Sequence, residues 1–234
     1  MRRMQLSVII SAVSMLAIFS AEAQAQGGGR SGMLMRMMMG SGSQLKSELL
    51  AMEQVQDEIK LTDEQKETVV AKAKELFGEF QTEQREIMQA GGDASEVQNL
   101  LEDIQKEEKE IVASLNDDQK KRLSQLMVQR MGNAAFQNAK FAKKLGITDE
   151  QKDKIKEAFS TASETMQTAM EEARETRDFG AIRAAMTDMQ KNLTESIMGS
   201  MDDKQKSKYK EMCGEKFEFP QRRRRGGGSQ RSDF

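Results

Sequence analysis

At 234 residues, with 32% charged and only 5% aromatic side chains, the chain suits long amphipathic helices with modest cores rather than one bulky globule. It holds no His and one Cys, which excludes an intramolecular disulfide, a Cys/His zinc site and any His-based triad or dyad. Carboxylate-only metal binding or catalysis is formally open. Among 38 acidic residues on solvated helix faces, however, such a pair is far more often coincidence than a site.

Residues 1–25 read as a secretory signal peptide. Arg2 and Arg3 form its basic start, Leu6 to Ser20 its apolar core, and Ala21-Glu22-Ala23 or Ala23-Gln24-Ala25 its cleavage site. The apolar core is shorter than the ~20 residues that span a bilayer, so the expected location is periplasmic or secreted. Residues 26–43 read as a flexible linker of Gly, Ser and Met that includes Met33, Met35, Met37, Met38 and Met39. Thioethers bind Cu(I), but with no His or Cys beside them a tether is the favoured reading. An adaptable apolar surface for misfolded partners is a third.

Apolar spacing predicts a first helix over 44–60, carrying Leu45, Leu49, Met52, Val55 and Ile59. A long second helix over 63–90 carries Val69, Ala73, Leu76, Phe80 and Ile87 and is stopped by Gly91-Gly92-Asp93. A third spans 94–114, and a fourth runs from the phrase at Leu115 to near Gly132. The second half begins with a helix over 134–145 closed by Gly146 as a C-cap. A long helix over 149–177 follows, then a turn at Asp178-Phe179-Gly180, with Gly180 expected in the place of Gly91-Gly92. That tripeptide also spells a kinase metal-binding signature, which is chance without a phosphate loop or catalytic loop. Ile182, Met186, Met189, Leu193 and Ile197 mark the next helix, and 203–216 is the last. Cys213 reads as a half-buried structural thiol, or in an oxidising compartment as a partner for an intermolecular disulfide. From Gln221 onward a disordered Arg/Gly-rich tail carries a net charge of +4, against about -7 for residues 26–220.

Four short phrases punctuate these helices: Leu61-Thr62-x-x-Gln65, Leu115-Asn116-x-x-Gln119, Ile147-Thr148-x-x-Gln151 and Met201-Asp202-x-x-Gln205. Each is a capping box, in which Thr, Asn or Asp takes exposed amides at a helix start and Gln reaches back to the cap residue. Acidic residues just inside suit the positive end of the helix dipole. The phrases are spaced by 54, 32 and 54 residues, so the pattern repeats after 86. Such a period predicts a tandem duplication of one helical unit. In two places a large residue in one half answers a small one in the other, Ala73 with Phe159 and Leu76 with Ala162. The swaps are compatible with packing of one half on the other.

A recurring L-T-x-x-Q phrase in an exported, Met-rich, nearly Pro-free chain resembles the Spy/CpxP-like LTXXQ family of periplasmic proteins. Leu61-Thr62-x-x-Gln65 and, with Ile for Leu, Ile147-Thr148-x-x-Gln151 are full matches. Asn116 and Asp202 replace Thr in the other two. The resemblance covers roughly residues 44–217. The expected fold is all-α: two tandem long helical hairpins with short flanking helices, as units 44–132 and 133–220 with coiled-coil-like stripes. The resemblance implies a non-enzymatic, ATP-independent chaperone or envelope stress-response protein that binds unfolded or partly folded clients on amphipathic helices. No cofactor, catalytic residue or metal ligand is assigned. Metal sensing or sequestration and a structural helical adaptor are the alternatives. A homodimer is a further expected assembly, and Arg222, Arg223, Arg224 and Arg225 are candidates for contact with an anionic surface. Nucleic acid is not an expected partner.

Overall fold

Each of the four phrases starts a helix by local capping. In a computed structural model describing residues 45–178 and 180–220, Thr62, Asn116, Thr148 and Asp202 all lie in extended backbone. Each accepts the amide of the Gln three positions on, and that Gln accepts the cap residue's own N–H. The apolar residue ahead of each cap, Leu61, Leu115, Ile147 or Met201, is buried.

The elements are α1 (Lys46–Leu50), α2 (Glu53–Glu58), α3 (Asp63–Gln89), α4 (Ala94–Ala113) and α5 (Asp117–Met131), then a 3-10 turn (Gly132–Gln137). After it come α6 (Ala139–Leu145), α7 (Asp149–Thr176), α8 (Gly180–Ser200) and α9 (Asp203–Cys213). No strand occurs among the described residues, so the fold is all-α. Helices α3 and α4 pack as one long hairpin, α7 and α8 as the other. The 3-10 turn, α6, α7, α8 and α9 begin at 132, 139, 149, 180 and 203, each 86 residues after α1 to α5 in turn.

Four expectations need correction. The helix expected over 44–60 is two short ones, interrupted at Ala51 and Met52, where Met52 is extended (φ -89°, ψ 121°). At the break the freed Leu50 carbonyl accepts the Gln56 side-chain amide at 2.9 Å. The helix expected over 134–145 is likewise divided at Asn138, whose side chain caps α6 by accepting the Lys140 and Phe141 amides. Gly180 does not hold the place of Gly91. Arg177 does, in the left-handed region at φ +60°, while Gly180 opens α8. The last helix ends at Cys213 rather than 216, because Gly214 (φ +64°) turns the chain into a non-helical strap over 215–220. A Cβ on Gly214 would collide with the Gln125 side chain, so glycine permits the close pass over α5.

The buried apolar side chains of both halves form one contiguous core. The halves meet around α5, which contacts α1, α9 and the 3-10 turn, and α9 also contacts α6. α3 on α7 is not a main packing pair, so the Ala73/Phe159 exchange does not act through it. Instead α1 lies over α3, where Ala73 is wholly buried, while Phe159 on α7 stays half-buried. Polar side chains of α5 fix the strap. Gln125 donates to the Glu211 carbonyl, and Gln129 donates to Cys213 and Glu215 carbonyls and accepts the Phe217 amide. Arg122 binds Glu58 of α2 at 2.6 Å and the Glu215 carbonyl at 3.0 Å. Arg130 meets Glu48 of α1 at 3.3 Å and stacks over Phe219 at 5.5 Å.

Candidate functional site

The four phrases do more than cap. Within each half, the two phrase glutamines face one another and pair through their side-chain amides. Gln65 donates to Gln119 at 3.0 Å and Gln119 donates back at 2.8 Å; Gln151 and Gln205 do the same at 2.8 and 2.9 Å. The second amide hydrogen of each also has a target. Gln65 and Gln151 take the carbonyls of Ser114 and Ser200, and Gln119 and Gln205 take those of Lys60 and Gly146. Lys60 and Gly146 are themselves 86 apart and both left-handed, at φ +54° and +82°. Every amide therefore uses both donors and accepts two hydrogen bonds, its full capacity. A capping box accepts Glu or Gln at this position, but the reciprocal pair requires an amide, because a carboxylate has no N–H to give. Sequence reasoning misses this pairing. Its signal is that Gln alone fills the fifth position in all four phrases. The phrase residues are thus joined two by two, and their chemistry is structural.

A second pair of corresponding positions is used differently in the two halves, through a main-chain amide in the first and a side-chain amide in the second. In the first, the Ser47 amide of α1 donates to the Glu108 carboxylate of α4 at 2.6 Å. In the second, Asn133 of the 3-10 turn donates to the Thr194 hydroxyl of α8 at 2.8 Å. Both positions are shifted by 86, and a carboxylate stands where the other half has a hydroxyl. Glu108 is buried, and desolvation pushes its pKa up against the opposing pull of the Ser47 and Lys46 amides and the Lys46 ammonium. Burial in turn pushes Lys46 down, opposed by Glu108 and reinforced by Lys144 of α6. α1 supplies no cap of its own, since Leu45 stands at its N-cap position, so Glu108 performs that task from another helix.

The hairpins carry apolar side chains well beyond the base. Phe77, Phe80, Leu100 and Leu101 on the first, and Met170, Ile182 and Met186 on the second, are half-buried and adjoin the core. Charged residues surround them, and among the described residues Met88 is the one large apolar side chain that is well exposed. A cleft of about 480 Å³ also runs along α7 and α8 between Ala158, Thr161, Thr165, Met189, Leu193 and Ser196.

Cys213 is half-buried, as the sequence implies, and burial pushes its thiol pKa up. Beside it Tyr209 joins Phe136 and Phe141 in an aromatic cluster, with ring centroids 5.1 to 6.2 Å apart, and burial raises its phenol pKa strongly. Among the described residues no group of three or more Cys, Asp or Glu is placed to hold a metal ion, and no helix is long and apolar enough to cross a membrane. Residues 1–25, expected to be a signal peptide, Met33 to Met39 and Arg222 to Arg225 lie outside the described residues. Comparison with protein-family models, with curated proteins and with solved structures finds no match for this chain.

Proposed function

We propose that this protein is an exported, ATP-independent chaperone of the LTXXQ type, protecting unfolded or partly folded proteins in the cell envelope. The observation that carries this reading is the half-buried apolar surface along both hairpins, from Phe77 and Phe80 to Ile182 and Met186, bordered by charge. Weak, adaptable apolar contact with a charged border favours capture and release of varied chains over tight binding of one partner. The four capping phrases support the family assignment, and the 86-residue recurrence of elements and hydrogen bonds supports descent by tandem duplication. A scaffold of fully satisfied amide pairs at the hairpin bases leaves the outer faces free to vary for binding.

The test is light scattering as a chemically denatured protein is diluted into increasing amounts of this one, without nucleotide. Suppression near an equimolar ratio is expected. No suppression by a sample with the helical circular dichroism of a folded protein would sink the general-chaperone reading.

A further inference from the structure

Helix α1 is five residues long, far below the ~12–15 at which a helix persists alone, so it exists through its docking. Leu45, Leu49 and Leu50 are wholly buried, and its polar ties are Ser47 to Glu108 and Glu48 to Arg130. On its C-terminal side the bend at Ala51 and Met52 is the link to the rest of the fold. α1 packs on α3, a helix that buries an apolar residue where the second half has a lysine. Val70 is 5% exposed, whereas its counterpart 86 residues on is the exposed Lys156. The docking carries polar costs: a buried carboxylate at Glu108 and a buried Arg130 Nε with no hydrogen-bond partner. At the corresponding positions the second half pairs the Asn133 side-chain amide with the neutral Thr194 hydroxyl.

We propose that the apolar seat under α1 is a client-binding site, with α1 as its resident and exchangeable occupant. Its partner chemistry is that of α1: a short segment with apolar side chains at i, i+4 and i+5 and free backbone amides at its start, which Glu108 accepts. The proposal rests on the client-binding reading and narrows it to one place. A site occupied by its own chain binds a competitor with an affinity reduced by the fraction of molecules in which the seat is vacant. Weakening α1 therefore strengthens binding of an outside segment, the reverse of what loss of a structural helix would do.

The experiment uses protein purified after expression of the complete chain, and a fluorescein-labelled synthetic peptide of residues 44–52 followed by anisotropy. Saturable binding is expected. Leu49→Ala/Leu50→Ala binds the peptide at least tenfold tighter, and Val70→Lys, which borrows the residue of the other half, binds at least tenfold weaker. Circular dichroism melting of each variant checks that it is folded. Unchanged or weaker binding by the folded leucine variant overturns the proposal. The scattering assay on the same samples separates the two readings. Suppression by the wild type with no peptide binding removes the seat and leaves chaperone action standing. Peptide exchange as expected, with no suppression by any sample, upholds exchange at the seat and removes its role in client capture.

Discussion

The two hairpins share a base and differ along their faces. At the base the same capping boxes, reciprocal amide pairs and carbonyl targets recur at an interval of 86. Along the length the first hairpin uses bulky Leu76, Phe77, Phe80 and Ile104 and is covered by α1. The second intersperses Ala158, Ala162, Ala169 and Ala173 with Phe159, Met166 and Met170, and its helices approach each other over more of their length. The residues lining the cleft of the second, including Ala158, Thr161, Thr165, Met189 and Ser196, answer to Lys72, Glu75, Glu79, Asp103 and Glu110 in the first. A hydrogen-bonded frame whose every amide is satisfied tolerates little change, while a helix face tolerates any set of side chains that keeps its volume and solvation balanced. The halves therefore agree where geometry is exacting and diverge where it is not.

The sharpest way to break the shared frame is Gln119→Glu. The change keeps the box acceptor but removes both donors, takes the Gln119 hydrogen bond from the Lys60 carbonyl, leaves Gln65 Oε1 with the Thr62 amide alone and buries a charge. A loss on the order of 5 kcal/mol is expected, read from the midpoint of urea unfolding. Gln205→Glu should match it, and a difference above about 2 kcal/mol between the two would mean the pairs are not equivalent. Next comes the covered face. Leu49→Ala empties a fully buried site and should cost about 3 kcal/mol, confined to the docking of α1. Hydrogen exchange should then show faster exchange in residues 46–50 and unchanged protection near Gln151.

The contrast between Glu108 and Thr194 predicts a pH effect in the first half. The folded-state pKa of Glu108 lies above its unfolded value, so in the window between them the folded state holds more protons. Stability from this group therefore falls as pH rises through that window, and is greatest below the ordinary carboxylate range. Glu108→Gln should flatten this part of the profile in urea unfolding at pH 4.5 to 7. A wild-type and variant pair with parallel profiles would refute the assignment. The smallest expected effect is at the hairpin tips. Arg177→Gly relieves a left-handed side chain and should raise stability by less than about 1 kcal/mol, while Gly91→Ala should lower it by a similar amount in thermal melting.

Local chemistry was legible in the chain. The boxes, the Gly146 cap (φ +82°), the helical stripes and the 86-residue register all follow from residues within a few positions of each other or from their repetition. The break at Asn138 also had a signal, since Asn is a strong N-cap residue, but no Gly or Pro marks the break at Met52. What sequence pattern conceals is contact across the chain. Gln65 and Gln119 are 54 positions apart and each already has a sufficient local role. Arg122, Gln125, Gln129 and Arg130 resemble a solvated helix face, yet they hold α1, α2 and the strap. A polar side chain facing water and one facing a distant carbonyl carry the same letter.

The strap over α5 also sets an order of assembly in time. A chain emerging N-terminus first can close Gln65 on Gln119 before Gln151 has appeared. It can close Gln151 on Gln205 only a few residues before Gly214 follows. The Gln129 clasp on the strap closes only once Glu215 and Phe217 have followed. A chain grown only as far as Gly214 therefore holds both hairpin bases yet leaves Gln129 of α5 with the Cys213 carbonyl alone, short of the Glu215 carbonyl and the Phe217 amide that complete its hydrogen bonds.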